Sequence, residues 1–163
     1  MIDLQYIRAV KLVVREFDLT ITDLYRLVKL AENIVVAIDL SNTNITGAGM
    51  TGFHAPQLED LNLSGCWISD SELLELLADN CAKLKRLDLS ETNITGAGLT
   101  GLHAPQLEDL NLSYCEDLTD SGLMELLANS CDKLKRLDLS GTSITSAGLD
   151  KVRSLLPQCD VCY

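Results

Sequence analysis

A long internal duplication restricts what this chain can fold into. The eleven residues HAPQLEDLNLS occupy positions 54–64 and recur unchanged at 103–113, which is 49 positions later. Two further segments, NITGAG and KLKRLDLS, are also present twice, at 44–49 and 93–98 and at 83–90 and 133–140. Self-similarity at a fixed spacing is the signature of stacked structural repeats. The sequence therefore predicts an array of similar units.

The repeating unit is half of the duplicated segment. Each half contains the pattern L-x-x-L-x-L, and the last apolar residues of successive patterns are 23, 26, 23 and 27 positions apart. The apolar triplets are Val35/Ile38/Leu40, Leu58/Leu61/Leu63, Leu84/Leu87/Leu89, Leu107/Leu110/Leu112 and Leu134/Leu137/Leu139. A further step of 26 positions back from Leu40 reaches Val14, with Leu12 and Ala9 in the other apolar places. A degenerate first repeat is therefore expected, which makes about six repeats.

Each unit combines a strand pattern with a helix pattern. The leucines of the L-x-x-L-x-L segment recur with the period of two that places side chains on one face of a strand. The following stretches, such as SDSELLELLADN, begin after Ser/Asp caps and carry their leucines, Leu73, Leu74, Leu76 and Leu77, on one predicted helix face. A single unit cannot bury these faces, whereas stacking buries a continuous core.

The repeat pattern resembles the leucine-rich repeat family, whose consensus is L-x-x-L-x-L-x-x-(N/C/T)-x-(I/L). The ninth place of this pattern alternates along the chain: Thr43, Cys66, Thr92, Cys115 and Thr142. The cysteine-containing units are similar to the subclass found in F-box substrate receptors, and the 23-residue units with ITGAGL are similar to shorter bacterial and plant-type units; no F-box precedes the repeats. The resemblance implies an α/β solenoid, a short horseshoe arc with a parallel inner sheet and helices on the convex side. It also implies a protein-binding role.

The predicted domain organisation is a single leucine-rich repeat domain over 1–163. It comprises the degenerate repeat at 1–34, regular repeats at 35–133, and a C-terminal repeat with its cap at 134–163. The first residues lack a signal-peptide pattern, and no apolar run reaches the ~20 residues of a membrane helix. We therefore expect a soluble, cytoplasmic protein. A monomer is the expected oligomeric state.

The charge balance bears on the kind of partner. The chain carries 24 acidic and 13 basic residues, a net charge of −11. Nucleic acids and anionic membranes are bound through patches of lysine and arginine, which this composition disfavours. A protein partner is therefore expected, with no nucleic acid and no membrane.

The cysteines and histidines give little support to a catalytic or metal site. Cys66 and Cys115, like Cys81 and Cys131, occupy equivalent places two repeats apart. Such places lie roughly 10 Å apart, beyond the ~7 Å reach of a disulfide, so all six cysteines are expected to be reduced. One C-x-x-C pair, formed at positions 159 and 162, is weak evidence for zinc or redox chemistry. His54 and His103 are likewise too far apart to share a metal, and local polar contacts are expected for them. We predict no catalytic residue, metal or cofactor.

The outward-facing places of the inner sheet form the candidate binding surface. The third place reads Lys11, Ala37, Asp60, Arg86, Asp109 and Arg136. The fifth place begins with Val13 and is acidic or amide from Asp39 onward. The seventh place is mostly serine, and the second alternates Glu with Lys from Glu59 to Lys135. Opposite charges on neighbouring strands can pair, at ~0.2–1 kcal/mol each. Such pairing also has a purely structural explanation, in which it keeps the sheet soluble and its strands in register without any partner.

Two aromatic residues extend this surface. Trp67 and Tyr114 follow the strands of the third and fifth repeats at the same edge, and binding hot spots are rich in Trp, Tyr and Arg. The predicted partner-binding residues are Asp60, Asn62, Trp67, Arg86, Asp88, Asp109, Asn111, Tyr114, Arg136 and Asp138. The competing surface is the acidic helical back, at Glu72, Glu75, Asp79 and Glu125.

Three functions remain open at this point. The first is a protein-interaction scaffold that binds through the concave sheet and its edge. The second is a structural or engineered repeat scaffold, or a fragment of a larger receptor, with no partner of its own. The third, an enzyme, rests on the C-x-x-C pair alone.

Overall fold

The inner wall of the molecule is a parallel β-sheet. The computed structural model describes residues 10–13, 34–43, 54–78, 80–100, 102–130 and 132–163. Within these ranges seven strands lie in the sheet in sequence order. They are β1 Val10–Val13, β2 Val35–Asp39, β3 Asp60–Asn62, β4 Arg86–Asp88, β5 Asp109–Asn111, β6 Arg136–Asp138 and β7 Asp160–Cys162. Six strands open the six predicted repeats, and β7 adds a terminal strand, so the predicted solenoid is confirmed.

The strand register follows the spacing of the apolar triplets. Lys11 pairs with Ala37 and Leu12 with Ile38, as the step of 26 positions predicts. The third-place residues align across β2 to β6, and the middle apolar residues, Ile38 and then four leucines, align with one another. The remainder of the predicted first repeat, including Ala9 and Val14, lies outside the described residues. Its boundaries and the single-domain organisation stay predictions.

The outer layer, in the described part of the chain, contains three α-helices and one short 3₁₀ helix. They are α1 Asp70–Leu77, a 3₁₀ helix at Ala97–Leu99, α2 Asp120–Ser130 and α3 Ser146–Leu155. The 26- and 27-residue steps contain α1 and α2, whereas the 23-residue step between β4 and β5 accommodates the 3₁₀ turn. Successive elements pack against each other, α1 on the 3₁₀ helix, the 3₁₀ helix on α2, and α2 on α3. None of the described helices is long and apolar enough to span a membrane.

Side-chain caps begin the α-helices, as the sequence predicts. The hydroxyl of Ser69 accepts a hydrogen bond from the Glu72 N–H, and the Glu72 carboxylate accepts one from the Ser69 N–H, which forms a capping box. Thr145 caps α3 in the same way by accepting from the Gly148 N–H at 3.1 Å. These bonds satisfy backbone donors that have no partner inside the helix.

Aspartates at the helix starts also connect neighbouring repeats. Asp70 accepts from the Gly98 N–H at 2.8 Å and from the Thr95 hydroxyl at 2.7 Å. Asp120 accepts in the same manner from the backbone N–H and the hydroxyl of Thr145. A Cβ added at Gly98 would lie 2.7 Å from the Asp70 Cα, so this glycine permits the close packing of the 3₁₀ helix against α1.

The core lies between the sheet and the helices. All of the triplet leucines from Leu58 to Leu139 are buried, and Leu87 in the central strand is 1% exposed. On α1, Leu73, Leu76 and Leu77 are buried, whereas Leu74 is 38% exposed. The prediction that all four leucines face the core is therefore wrong for Leu74, because α1 buries a narrower stripe than those four positions span.

Candidate protein-binding surface

Ion pairs between neighbouring strands cover part of the concave wall. Arg86 donates to the Asp60 carboxylate from Nε at 3.1 Å and from Nη2 at 2.7 Å. In the second-place row, Lys85 pairs with Glu59 at 2.8 Å, and the equivalent pair one module later, Lys135 with Glu108, lies at 2.7 Å. These side chains are substantially exposed, so solvent screens each pair and its contribution to stability is small. The predicted charge pairing is confirmed for these three pairs.

The corresponding pair in the second module is not formed. Asp109 and Arg136 align in register on β5 and β6, as Asp60 and Arg86 do on β3 and β4. Arg136 instead pairs loosely with Asp138 on its own strand, with 3.9 Å between Nη2 and Oδ2. Asp109 makes no side-chain hydrogen bond or ion pair with a described residue. One acidic and one basic group of the wall therefore retain bonding capacity toward a partner.

The fifth-place residues organise the ends of the strands. The Asp88 Oδ1 accepts from the Ser90 N–H at 3.0 Å and from its hydroxyl at 2.6 Å. Asn111 and Ser113 repeat this arrangement, and the Asn111 amide also donates to the Asp88 Oδ2 at 3.1 Å. The seventh-place serines were expected to face outward, which is wrong for three of them: Ser41, Ser90 and Ser113 are buried. Their hydroxyl groups donate hydrogen bonds to the side-chain oxygens of the fifth-place residues, which keeps them away from solvent.

The wall residues line an open groove. Its larger part, of about 540 Å³, is bordered by second- and third-place residues of β1 to β6. A smaller part, of about 190 Å³, lies over Asp60, Asn62, Arg86, Asp88, Asp109, Asn111 and Arg136. The structure therefore brings seven of the ten predicted binding residues together, whereas Asp138 lies beside this set and is half-buried.

The two aromatic residues line a separate groove at the edge of the wall. Trp67 is 76% exposed and Tyr114 is 60% exposed. Both border a groove of about 240 Å³ together with Glu91, Glu116 and Asp117. The predicted surface thus divides into two regions, the wall groove and this edge groove. The three acidic residues were not among the binding residues predicted from the sequence.

The eighth place of the repeat shapes the edge groove. This place has a left-handed backbone in five successive repeats, at Asn42, Gly65, Glu91, Tyr114 and Gly141. Two of these residues are glycine, the residue that adopts this conformation without strain. For Tyr114, at φ +57°, it is costly, by roughly 1–2 kcal/mol. The two glycines at this place, Gly65 and Gly141, were the available sequence signal for this feature.

The ninth-place cysteines have a structural role. The thiols of Cys66 and Cys115 donate to the backbone carbonyls of Leu40 and Leu89 in the preceding repeats, both at 3.1 Å. Burial raises the pKa of both thiols, and it raises that of Cys81 to about 12. The five described cysteines are free, as predicted, and Cys131 lies outside the described residues.

Cys159, the first cysteine of the C-x-x-C pair, lacks the environment of a reactive thiol. Burial, followed by the charge of Asp160, raises the pKa of Cys159, whereas redox-active cysteines have a lowered pKa. No cluster of three or more His, Cys, Asp or Glu side chains in the described ranges could hold a metal ion. His54 and His103 are exposed and form no hydrogen bond with a described residue, so the expected local polar contacts are not found.

The competing helical back is partly committed to folding. Glu72 completes the capping box of α1, and Glu125 accepts from the Thr100 hydroxyl at 3.1 Å. Glu75 is exposed on the outer side of α1, and Asp79 lies outside the described residues. This surface has fewer uncommitted groups than its acidic composition indicates.

Comparison with known proteins identifies the family. The family model described as Leucine Rich repeat matches residues 54–72, 80–102, 103–127 and 130–152, which is more than half of the chain. The chain therefore belongs to the leucine-rich repeat family. A solved structure of a leucine-rich repeat protein from Leptospira interrogans is similar, with a TM-score of 0.62 and 22% sequence identity. The similarity covers 93% of this chain and 37% of the Leptospira chain, and it concerns the fold alone. A search of curated proteins gave no match.

Membership of this family sets the general class of function. Leucine-rich repeat domains typically are non-enzymatic modules that mediate protein–protein interaction. Stacked repeats produce the extended concave surfaces that such modules use.

Proposed function

We propose that this chain is a non-enzymatic scaffold that binds a protein partner through its concave wall and adjoining edge. The observation that carries the proposal is the open wall groove of about 540 Å³, which ends at Asp109 and Arg136, two groups without a strand-to-strand ion pair. An acidic and a basic group on adjacent strands can receive complementary hydrogen bonds from one partner segment.

The rigidity of the wall supports the same function. The strands are fixed by backbone hydrogen bonds in register, so presenting these side chains to a partner costs little ordering entropy. Their spacing of ~4.8 Å between strands sets the distances at which a partner must offer donors and acceptors. The ion pair between Arg86 and Asp60 holds the Arg86 guanidinium over the groove.

Affinity capture tests the proposal. The chain, immobilised, is exposed to a lysate of its source organism, and bound proteins are compared with those retained by Asp109→Asn/Arg136→Gln. This variant removes both charges and leaves the core unchanged. We expect saturable capture of a defined protein by the wild type and its loss with the variant. Equal capture by both would contradict binding at the wall. The matched control, Glu75→Gln/Glu125→Gln, alters two charges on the helical back.

The second candidate function is a structural or engineered repeat, or a receptor fragment, with no partner of its own. The three ion pairs on the wall favour it, because a self-neutralised sheet is soluble without a ligand. No saturable capture by the wild type would support this alternative. We also propose a monomer in the reducing cytoplasm, in keeping with five free cysteines. Light scattering after size exclusion tests the oligomeric state.

A further inference from the structure

The edge groove, formed by Trp67, Glu91, Tyr114, Glu116 and Asp117, combines aromatic surface with acidic groups. The chain's single tryptophan borders it beside a tyrosine that replaces the glycine of the equivalent place in the preceding module. Both rings are mostly exposed, although large aromatic side chains usually gain from burial. Their exposed faces leave apolar area available to a ligand.

The acidic groups of the edge groove are not neutralised. Glu91, Glu116 and Asp117 are exposed, and none of them forms an ion pair with a residue in the described part of the chain. The wall differs in this respect, since Glu59, Asp60 and Glu108 are paired there with cations of the next strand. The negative charge of the edge groove is therefore available to a cationic ligand.

The position of the Tyr114 ring is fixed by a glycine in the next repeat. A Cβ added at Gly141 would lie 2.6 Å from the Tyr114 Cδ1 and 2.9 Å from its Cε1. The ring therefore packs directly on the Gly141 backbone. This contact orients one aromatic wall of the groove before any ligand arrives, which reduces the ordering cost of binding.

We propose that the edge groove binds an arginine side chain from a basic, extended segment of the protein partner. Aromatic faces attract cations, and tryptophan does so most strongly. A guanidinium is planar, so it can stack on a ring while its N–H groups donate to carboxylates at the rim. The inference rests on the proposed function for the existence of a partner, and it adds the chemistry of the partner segment.

A short peptide tests the inference without the native partner. The probe is acetyl-Gly-Arg-Gly-amide, and the matched control peptide contains citrulline, which has nearly the same shape as arginine and no charge. Binding is followed by Trp67 fluorescence and by amide and indole shifts in ¹H–¹⁵N spectra. We expect saturable shifts at Trp67, Tyr114 and Asp117 with arginine, and binding at least about fivefold weaker with citrulline, because the cation–π and charge contributions are lost.

Two protein variants separate a specific site from general charge attraction. Glu116→Gln/Asp117→Asn should weaken binding of the arginine peptide about fivefold or more. Glu75→Gln/Asp132→Asn, which removes the same charge elsewhere, should leave it within about twofold. Equal weakening by both variants, equal binding of the citrulline peptide, or shifts confined to the wall would overturn the inference. If the arginine peptide binds but the lysate capture fails, the proposed function is refuted and the chemistry assigned to the edge groove is not.

Discussion

Truncation of Leu87 in the centre of the sheet tests the stacking of the repeats. Leu87 is 1% exposed and pairs in register with Leu61 on one side and Leu110 on the other. Leu87→Ala removes about three carbon atoms, which at ~0.8 kcal/mol each corresponds to about 2.4 kcal/mol. The cavity that remains adds to this loss, so we expect a decrease of about 3–4 kcal/mol in the free energy of unfolding, within the range for buried leucines.

The matched variant is Val161→Ala in β7. Val161 is half-buried and pairs with one strand in the described sheet, β6. Its truncation removes about two carbon atoms that are half covered, so the expected loss is about 1 kcal/mol. The contrast between the two variants follows from nearest-neighbour stacking, because a central leucine supports two interfaces and the terminal valine supports one.

Urea unfolding followed by far-UV circular dichroism measures both losses. Trp67 fluorescence is a poor probe of the core here, since its side chain is 76% exposed. Linear extrapolation gives the free energy of unfolding, and an unchanged slope with urea shows that the variants unfold in the same way. A loss below about 1 kcal/mol for Leu87→Ala, or an equal loss for Val161→Ala, would refute the assigned strand phase and the stacking argument.

Two further predictions concern thiols and acid stability. Alkylation under denaturing, non-reducing conditions should add six labels, and a species short by two would reveal a disulfide. In the native protein Cys159 should react before Cys81, because burial raises the pKa of Cys81 to about 12. The reverse order in peptide mass mapping would contradict the burial assigned to Cys81. Hydrogen bonds from Thr145 lower the pKa of Asp120 in the folded state. Its stabilisation is therefore present above its unfolded pKa of about 3.9 and is lost as the pH falls through the lower folded value. Asp120→Asn should therefore make stability less dependent on pH in acid, below about pH 4. Identical acid titrations of unfolding for the two proteins would contradict this assignment.

The strand register could be predicted because the leucine spacing encodes it directly. One step of 26 positions places Leu12 beside Ile38, and both sequence and structure agree on this alignment. The type of helix in each repeat was harder to predict from the sequence. A repeat that is three residues shorter has one 3₁₀ turn in place of an α-helix, and the apolar pattern of its strand is unchanged.

The sequence predicted which residues form the wall of the candidate surface, but it predicted the contacts between them only in part. Strand alternation correctly placed Asp60, Arg86, Asp109 and Arg136 on one wall. The sequence repeats the Asp–Arg motif in both modules, yet the ion pair forms at Asp60 and Arg86 and not at the second pair. Side-chain rotamers decide that difference, and they depend on local packing that identical sequence spacing does not specify.

The most direct test of the central claim compares the two faces of the solenoid with the captured partner. Its affinity is measured by calorimetry for Arg86→Ala/Trp67→Ala and for Glu75→Lys/Glu125→Lys. Arg86 and Trp67 are exposed and of the residue types enriched at hot spots, so we predict that the first variant weakens binding about tenfold or more, whereas the second leaves it within about twofold. An affinity unchanged by the first variant and abolished by the second would contradict the account and assign binding to the helical back.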